Sequence, residues 1–224
     1  MVAGSVARGG SPGSRSLGHT DFAVNGIHMQ PRLLAVAGPN GSGKTTITER
    51  GLAHEWFDGC AYINPDNIAR DEFGDWNSPA AVLQAARLAQ QQRETCLIER
   101  HSLAFETVFS GADKVDYLRR AKLNGYFTRL FFVATSDPAI NAARVTRRVM
   151  QGGHDVPIPK IVSRYFKSIA NCALIASEVN RLYLYDNSID GAEPKLILRA
   201  AEGKLVKLYA DAPAWMVPIF ATLS

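Results

Sequence analysis

The chain alternates short apolar runs with longer amphipathic segments, a pattern that predicts strands alternating with helices. Five runs are almost unbroken in their apolar character, as strands buried on both faces of a parallel sheet require. These runs are Leu33–Ala37, Ala61–Ile63, Leu103–Phe105, Leu130–Ala134 and Leu182–Tyr185. Strands that alternate with helices imply an α/β fold with a mostly parallel sheet covered by helices on both faces.

Local start and stop signals place the helices between these strands. Helices are predicted from about Lys44, from Ser78-Pro79 to about Arg100, from about Ala112 to Asn124, from Asp137-Pro138, and from about Lys160. Beyond the fifth strand, Lys195–Arg199 and Lys204–Tyr209 flank Glu202-Gly203. Two short β-type segments around such a turn predict a C-terminal hairpin.

The N-terminal stretch differs from the rest of the chain. Residues 1–31 are rich in Gly and Ser and lack apolar periodicity. We therefore expect residues 1–31 to be a disordered arm and residues 32–224 to form a single domain. No apolar run approaches the roughly 18 residues that span a bilayer, so no membrane association is expected. The three widely spaced cysteines predict no disulfide framework and fit a cytoplasmic protein.

The charge balance argues against nucleic acid as a partner. The formal net charge is +4, and residues 1–32 supply half of it through three arginines and one aspartate. The remainder of the chain is therefore close to neutral. A nucleic-acid interface needs basic residues clustered on one face, which this distribution does not predict.

A phosphate-binding loop follows the first strand, in the eight residues Gly38-Pro39-Asn40-Gly41-Ser42-Gly43-Lys44-Thr45. Glycines let backbone N–H groups approach phosphate oxygens closely, and the helix behind the loop adds its positive N-terminal dipole. Lys44 supplies a charge for the β- and γ-phosphates, and the Thr45 hydroxyl is a ligand for Mg²⁺. The loop with Thr46 predicts a site for ATP and Mg²⁺.

The rest of the sequence favours one kind of P-loop protein. A guanine-reading Asn-Lys-x-Asp motif is absent, and so is the LSGGQ-type signature of transporter ATPases. Thr135-Ser136-Asp137 after the fourth strand is a poor match to a Walker B motif. A small-molecule kinase instead needs a carboxylate base near the acceptor and a mobile arm of arginines, and the chain offers candidates for both.

Asp66 and Glu106 are the candidate carboxylates, because each follows a strand at the end where ligands of parallel sheets bind. Asp66 could take the proton of an acceptor hydroxyl, and the alternative is that it only caps a helix. Glu106 could hold acceptor hydroxyls or a metal-bound water, and the alternative is a surface glutamate beside a turn.

The candidate arm contains Arg144, Arg147 and Arg148, the glycine-containing segment 152–155 and Arg164, within a helical lid at about residues 144–170. Arginine binds phosphate in a bidentate way, and glycines at a helix break suit a hinge. Helical spacing predicts that Arg144 and Arg148 share a face while Arg147 points elsewhere. The alternative is a solvated basic helix. His154 could contact a phosphate or the acceptor, or lie on the surface.

An ordered set of segments resembles the zeta toxin family of P-loop kinases. The matching segments are Ala37–Thr46, Tyr62–Arg70, Phe105–Gly111, Gln151–Pro157, Arg164-Tyr165 and Tyr185–Ser188. The resemblance implies a three-layer P-loop kinase fold and transfer of the γ-phosphate of ATP to a sugar hydroxyl of UDP-N-acetylglucosamine. It also implies a toxin with an antitoxin protein as a partner.

The resemblance assigns roles to individual residues. It implies that Asp66 is the catalytic base and that Arg70, Glu106 and Thr107 lie in the acceptor pocket. It implies that Lys44, Arg148 and Arg164 act on the phosphates and that Asp186-Asn187 lies near the adenine.

One departure concerns the acceptor. The Asp-x-Asp that larger toxins often carry after the second strand is Asn64-Pro65-Asp66 in this chain. Two alternatives stay open: a kinase for another acceptor, such as a nucleotide, cofactor or antibiotic, and an ATP-binding switch without kinase activity.

Overall fold

Seven strands form one sheet in the computed structural model, which describes residues 30–74, 76, 78–151 and 155–224. The strands are β1 (Arg32–Ala37), β2 (Ala61–Ile63), β3 (Leu103–Thr107), β4 (Phe127–Ala134), β5 (Arg181–Asp186), β6 (Lys195–Ala201) and β7 (Lys204–Leu208). Their order is β2-β3-β1-β4-β5-β6-β7. Strands β1 to β5 pair in parallel, and β6 and β7 are antiparallel. The predicted α/β class and C-terminal hairpin are confirmed.

The helices in the described part of the chain alternate with the parallel strands, as expected. They are α1 (Lys44–Leu52), α2 (Pro65–Glu72), α3 (Pro79–Glu99), α4 (Ala112–Leu123), α5 (Pro138–Met150), α6 (Ile158–Ile175) and the short α7 (Val217–Phe220). The side chains of Ser78 and Asp137 accept backbone N–H bonds at the starts of α3 and α5, each followed by proline. These are the caps that the sequence predicted. None of the described helices combines the length and apolar character needed to cross a bilayer.

The fourth strand begins three residues earlier than predicted. Thr128 lies within it and is fully buried, which polarity alone does not suggest. Its backbone N–H and its hydroxyl both donate to Asn180 Oδ1, at 2.8 and 3.0 Å. A buried polar residue is tolerated where its hydrogen bonds are satisfied, so the strand extends through Thr128 to Phe127.

The predicted N-terminal arm covers residues 1–31, of which the structure describes only Gln30 and Pro31. Residues 1–29 lie outside the described part of the chain, and with them lies most of that prediction. The side chain of Gln30 donates from Nε2 to the carbonyl of Gly125 at 3.1 Å. The carbonyl of Pro31 accepts from the backbone N–H of Phe127 at 2.8 Å, which continues the pairing of β1 with β4.

The core has two layers, one on each face of the sheet. One layer packs alternate residues of β1, β3, β4 and β5 against α3, α4, α6 and the C-terminal segment around Trp215. The other packs the intervening strand residues, such as Val36 and Phe131, against Ile47 of α1 and against Phe57. The sheet is therefore sandwiched between helices, in the three-layer arrangement that parallel strands require. The carboxyl ends of the parallel strands lie on the side of the sheet where the loop between β1 and α1 begins.

The burial of Leu130 at the centre of β4 predicts a large loss of stability on truncation. Leu130 is fully buried, so Leu130→Ala should lower the free energy of unfolding by about 2–5 kcal/mol, because a cavity replaces packed methyl groups. Urea denaturation followed by circular dichroism measures this change. Leu123→Ala is the matched control, since Leu123 is 86% exposed and its truncation should cost under about 0.5 kcal/mol. Equal losses in the two variants would contradict the assigned core.

Candidate active site

The loop between β1 and α1 has a conformation that its glycines make accessible. Gly41 and Gly43 have φ angles of +73° and +96°, in the left-handed region that L side chains avoid. A Cβ atom on Gly41 would lie 2.6 Å from the carbonyl oxygen of Asn141, and one on Gly43 would lie 2.3 Å from Nδ2 of Asn187. Backbone conformation and close packing therefore both require glycine at these two positions.

Two buried asparagine amides hold this loop from behind. The Nδ2 group of Asn141 donates to the carbonyl of Asn40 at 2.6 Å, and that of Asn187 donates to the carbonyl of Ser42 at 2.9 Å. Asn187 is predicted to lie near the adenine, and this stays a prediction; the structure shows that its amide bonds the loop backbone. Asn141 was not predicted. The structure buries Asn141 fully, and the sequence offers only one weak signal for its role: asparagine is disfavoured inside a helix.

Lys44 lies at the first position of α1, and its ammonium group folds back over the loop. Its Nζ donates to the carbonyl of Pro39 at 2.9 Å. The pKa of Lys44 is lowered to about 8: burial is the largest cause and Arg148 and Arg164 act in the same direction, while Glu106 and Asp66 raise it. The candidate base, the second carboxylate and two arginines of the predicted arm thus share one electrostatic neighbourhood with Lys44.

Glu106 is held in place by a chain of side chains. The hydroxyl of Tyr62 donates to Glu106 Oε1 at 2.9 Å, and Asn64 Nδ2 donates to the Tyr62 hydroxyl at 2.9 Å. Thr45 Oγ1 donates to Glu106 Oε2 over a long 3.5 Å. Burial raises the pKa of Tyr62, so this residue stays a neutral hydrogen-bond donor. The predicted metal ligand Thr45 is therefore beside Glu106. Tyr62 and Asn64 had no predicted role.

The position of Asp66 removes the capping alternative for this residue. The N-cap of α2 is Asn64, whose Oδ1 accepts from the backbone N–H of Asp66 at 2.8 Å, and Pro65 occupies the first helical turn. The carboxylate of Asp66 is therefore not needed as a cap. Asp66 is exposed and lines the cleft that opens above the loop.

This cleft has a volume of about 740 Å³ and lies between the loop, α2, α3 and the start of α6. Pockets of about 300–1,000 Å³ suit small molecules. The structure brings most of the predicted site residues to its lining: Asn40, Gly41, Lys44, Thr45, Asp66, Arg70, Glu106, Thr107, Arg148 and Arg164. One cavity thus contains the proposed triphosphate side and the proposed acceptor side.

Some predicted residues lie elsewhere. The lining does not include Gly38, Pro39, Ser42, Gly43, Thr46 or Asn187, which form or support the loop around it. Thr46 is exposed in the first turn of α1. His154 and the adjacent Gly152-Gly153 fall outside the described residues.

The predicted grouping of the α5 arginines was wrong. Arg144 and Arg147 both reach the carboxylate of Asp190, at 3.3 and 2.9 Å, although spacing had placed Arg144 with Arg148. Arg144 also donates to the carbonyl of Asn187 at 2.8 Å, so the loop after β5 draws it away from the cleft. Arg148 stays in the cleft with Arg164, whose Nη1 donates to Asn40 Oδ1 at 3.2 Å.

One wall of the cleft, formed by α3, has no predicted site residues. Val82, Ala86, Ala89, Gln90 and Arg93 of α3 line it. Four of these five continue one helical stripe with spacings of four, three and four residues. The sequence does contain a signal for this wall, because an otherwise apolar helical stripe ends in an arginine. Lys114, Asp155 and Lys160 also line the cleft and were not predicted to do so.

The site fits Mg²⁺-ATP in its donors and charges. The first N–H groups of α1 have no intrahelical acceptor and, with Lys44, suit phosphate oxygens. Thr45 and Glu106 offer a hydroxyl and a carboxylate oxygen. The described residues contain no group of three His, Cys, Asp or Glu side chains able to hold a metal. Mg²⁺ commonly needs only one or two protein ligands besides phosphate and water, so the two oxygens suffice.

The strand order and the loop together define a P-loop protein with a kinase-like fold. A model of the zeta toxin family matches residues 20–181, which is well over half of the chain. The chain therefore belongs to the zeta toxin family.

Other proteins are similar to this chain in sequence or in structure. An uncharacterized protein of Haemophilus influenzae is 28% identical over 137 residues, covering 61% of this chain and 94% of the relative. The AvrRxo1-ORF1:-ORF2 complex aligns with a TM-score of 0.61 at 20% identity, over 80% of this chain and 61% of the neighbour. A second structure of that complex contains ATP and has a TM-score of 0.60 at 20% identity, over 81% and 61%. This chain thus spans about three fifths of that neighbour.

A further structural neighbour comes from the PezAT toxin-antitoxin system of Streptococcus pneumoniae. It has a TM-score of 0.56 at 16% identity, over 87% of this chain and 78% of the neighbour. At these identities the structural likeness concerns the fold.

The lowered pKa of Lys44 predicts how stability changes with pH. Native Lys44 loses its proton near pH 8, whereas an unfolded lysine keeps it to about pH 10.4. Between these values the unfolded state binds more protons, so the free energy of unfolding should rise with pH. Relative to that of Lys44→Met, the free energy of unfolding of the ligand-free parent should rise by up to about 1.4 kcal/mol per pH unit.

Urea unfolding at pH 7.5, 8.5 and 9.5 tests this trend. The exposed residue Lys167 supplies a matched control, since Lys167→Met should keep the pH profile of the parent. Parallel profiles for the parent and Lys44→Met would contradict the prediction.

Proposed function

We propose that this protein is a cytoplasmic ATP-dependent kinase that transfers the γ-phosphate to a hydroxyl of a small metabolite, with UDP-N-acetylglucosamine as the first acceptor to consider. One observation carries the proposal: Lys44, Asp66, Glu106, Arg148 and Arg164 meet in a single cleft above a phosphate loop. The cleft combines cations for a triphosphate with a carboxylate that is free to act as a base.

The phosphates of ATP bind at the loop and the start of α1. Backbone N–H groups at the start of α1 bind their oxygens, and Lys44 gives up its bond to the Pro39 carbonyl to contact the β- and γ-phosphates. Arg148 and Arg164 flank the terminal phosphate and stabilise the charge that spreads over its oxygens during transfer. Bound Mg²⁺, held through Thr45 and near Glu106, would neutralise part of the phosphate charge.

Asp66 acts as the base for the acceptor. Its carboxylate takes the proton of the acceptor hydroxyl while the hydroxyl oxygen forms a bond to the γ-phosphorus. The bond from that phosphorus to the β–γ bridging oxygen breaks, and ADP leaves with the electron pair. Asn64 keeps Asp66 in place, because its cap fixes the start of α2.

The acceptor lies between α2 and the end of β3, where Arg70, Glu106 and Thr107 line the cleft. Glu106 accepts hydrogen bonds from hydroxyl groups of the acceptor, and the hydrogen bond from Tyr62 orients the Glu106 carboxylate for this role. We keep His154 as a further acceptor contact, although it lies outside the described residues.

Residues 144–170 act as the lid. The described residues on either side of the α5–α6 connection share a small apolar cluster, formed by Val145, Val156 and Ile161. The later part of α6 is fixed in the main core, where Tyr165 donates to the carbonyl of Thr135 at 2.6 Å. We propose that Arg148 and Lys160, which flank this cluster, move together when the lid closes.

The similar proteins support this proposal. The AvrRxo1 complex was solved with ATP, and PezAT is a toxin-antitoxin system. We therefore propose ATP as the phosphate donor, a toxic role in the cell and an antitoxin protein as a partner.

Replacing Asp66 separates binding from transfer. Asp66→Asn keeps the shape of the side chain but cannot accept the proton, so phosphoryl transfer should fall by about 10²–10⁴-fold. Calorimetric titration with Mg²⁺-ATP should give a Kd within a factor of two of the parent. Asp71→Asn is the matched control, an exposed aspartate on the same helix, and should transfer at the parental rate.

Two outcomes count against this role. Equal transfer by Asp66→Asn and the parent would eliminate Asp66 as the base. If the protein is toxic through this chemistry, induced expression of the parent should stop growth, and induced expression of Asp66→Asn should not. Equal growth of both strains would contradict the toxin role.

Identification of the acceptor needs a direct assay. With ATP and UDP-N-acetylglucosamine, mass spectrometry should detect a product heavier by one phosphate, and Lys44→Met should abolish it. If a nucleotide, cofactor or antibiotic is phosphorylated and UDP-N-acetylglucosamine is not, that compound is the acceptor. Tight ATP binding with no product from a metabolite-wide screen would favour the ATP-binding switch.

A further inference from the structure

Six basic side chains share one face of the sheet. Arg129 pairs with Leu34, and Arg199 pairs with Tyr183, and both partners belong to the core layer on the side of α1. Paired residues project from the same face of a sheet, so the two arginines also lie on this side. The pairing of the neighbouring strands adds the remaining members. The six residues, which we call the basic face, are Arg32, Arg129, Arg181, Arg199, Lys204 and Lys207.

The sequence did not predict this cluster. Its members are dispersed along the chain, and the charge distribution therefore argued against a nucleic-acid interface. The strand order places β4, β5, β6 and β7 side by side, with neighbouring strands about 4.8 Å apart. Two ranks of basic residues thus run across these four strands, one through Arg129, Arg181 and Lys204 and one through Arg199 and Lys207.

The basic face is open to solvent. The core layer on this side takes Ile47 from α1 and Phe57 from the short helical turn Glu55–Phe57. Farther along the sheet, every residue of β7 is exposed, including Lys204 and Lys207. The four arginines of the basic face are partly exposed. A ligand can therefore approach these charges from the side of α1.

The charges of the basic face lack acidic partners within the described part of the chain. None of the six residues forms a salt bridge with a described carboxylate. Glu202 interacts electrostatically with Arg181, but its carboxylate accepts hydrogen bonds from Asn180 and Lys122, at 2.6 and 3.1 Å. Unpaired cations collected on one open surface favour a polyanionic partner.

Two of the arginines lie against aromatic rings. The guanidinium carbon of Arg129 lies 4.5 Å from the centre of the Trp56 ring and 4.8 Å from that of the Phe127 ring. The guanidinium carbon of Arg181 lies 5.4 Å from the centre of the same Phe127 ring. Planar guanidinium groups and aromatic rings stack on nucleobases, whereas an acidic peptide would use the charges alone. The combination favours nucleic acid over an acidic protein.

We propose that the basic face binds single-stranded nucleic acid. Phosphates contact the guanidinium and ammonium groups, and bases stack on the arginine planes and the rings beside them. Bases splayed out from a single strand can lie on an open sheet surface, whereas a duplex presents only the edges of its bases in grooves. None of the six residues lines the cleft, and Arg129 and Arg181 lie near the amino ends of their strands. Binding at this face is therefore independent of the proposed kinase activity.

Fluorescence anisotropy of a labelled oligouridylate of about twelve nucleotides tests this binding, since such a strand is long enough for one site. The protein is first saturated with Mg²⁺ and a non-hydrolysable ATP analogue, which keeps the strand out of the cleft. The titration is repeated at about 50, 100 and 200 mM salt. The parent should bind, and the logarithm of its association constant should fall against the logarithm of salt concentration with a slope of about −3 to −4, for about four to six phosphate contacts.

A pair of double variants locates the binding surface. Arg199→Gln with Lys207→Gln removes two charges from the basic face, so binding should weaken by at least about tenfold and the salt slope should become shallower by about 1.4. Arg87→Gln with Lys167→Gln is the matched control. It makes the same change of net charge at exposed positions of α3 and α6, which pack on the other face of the sheet, and should behave as the parent. Circular dichroism melting establishes that each variant is folded.

Two further probes separate nucleic acid from other polyanions. An abasic strand of the same length keeps the phosphates and lacks the bases, so it should bind at least about tenfold more weakly. Polyglutamate of similar length represents an acidic protein partner. The assignment to nucleic acid is overturned if the parent does not bind oligouridylate, or if the two double variants lose affinity equally. It is also overturned if the abasic strand or polyglutamate binds as tightly as oligouridylate, and tight binding of polyglutamate would indicate an acidic protein instead.

Discussion

The shape of the phosphate loop is the constraint on which the rest of the site depends. Its positive φ angles at Gly41 and Gly43 turn the backbone so that α1 starts directly beneath the cleft. The amides of Asn141 and Asn187 bond the loop carbonyls from behind, and they come from helix α5 and the end of β5. The loop is thus preorganised by elements that lie far from it in sequence, which reduces the reorganisation needed when phosphates bind.

The electrostatics of the cleft follow from the same arrangement. Burial and two arginines disfavour the charge of Lys44, and Glu106 and Asp66 only partly offset them. A cleft that concentrates cations in this way is destabilising for the empty protein and favourable for a polyanion, since ligand binding relieves the repulsion. Strain of this kind is expected where a site is built for a charged substrate.

The sequence pattern predicted the strand and helix alternation well, because unbroken apolar runs and caps such as Ser78 are local signals. It did less well where tertiary contacts override local character. The predicted β4 does not include Thr128, because a polar residue breaks an apolar run, and only the bonds to Asn180 explain the burial of Thr128. Arg144 was grouped with Arg148 on helical spacing, but the loop containing Asp190 captures Arg144.

Consecutive residues or a local period encode the phosphate loop, the strand that precedes it and the α/β class, so all three are readable from the sequence. Chain order also indicates Asp66 and Glu106, since both follow strands. Long-range packing, in contrast, makes Asn64 and not Asp66 the cap of α2 and brings Arg93 of α3 to the cleft. These depend on how elements distant in sequence pack, and long-range packing leaves no local pattern from which it could be derived.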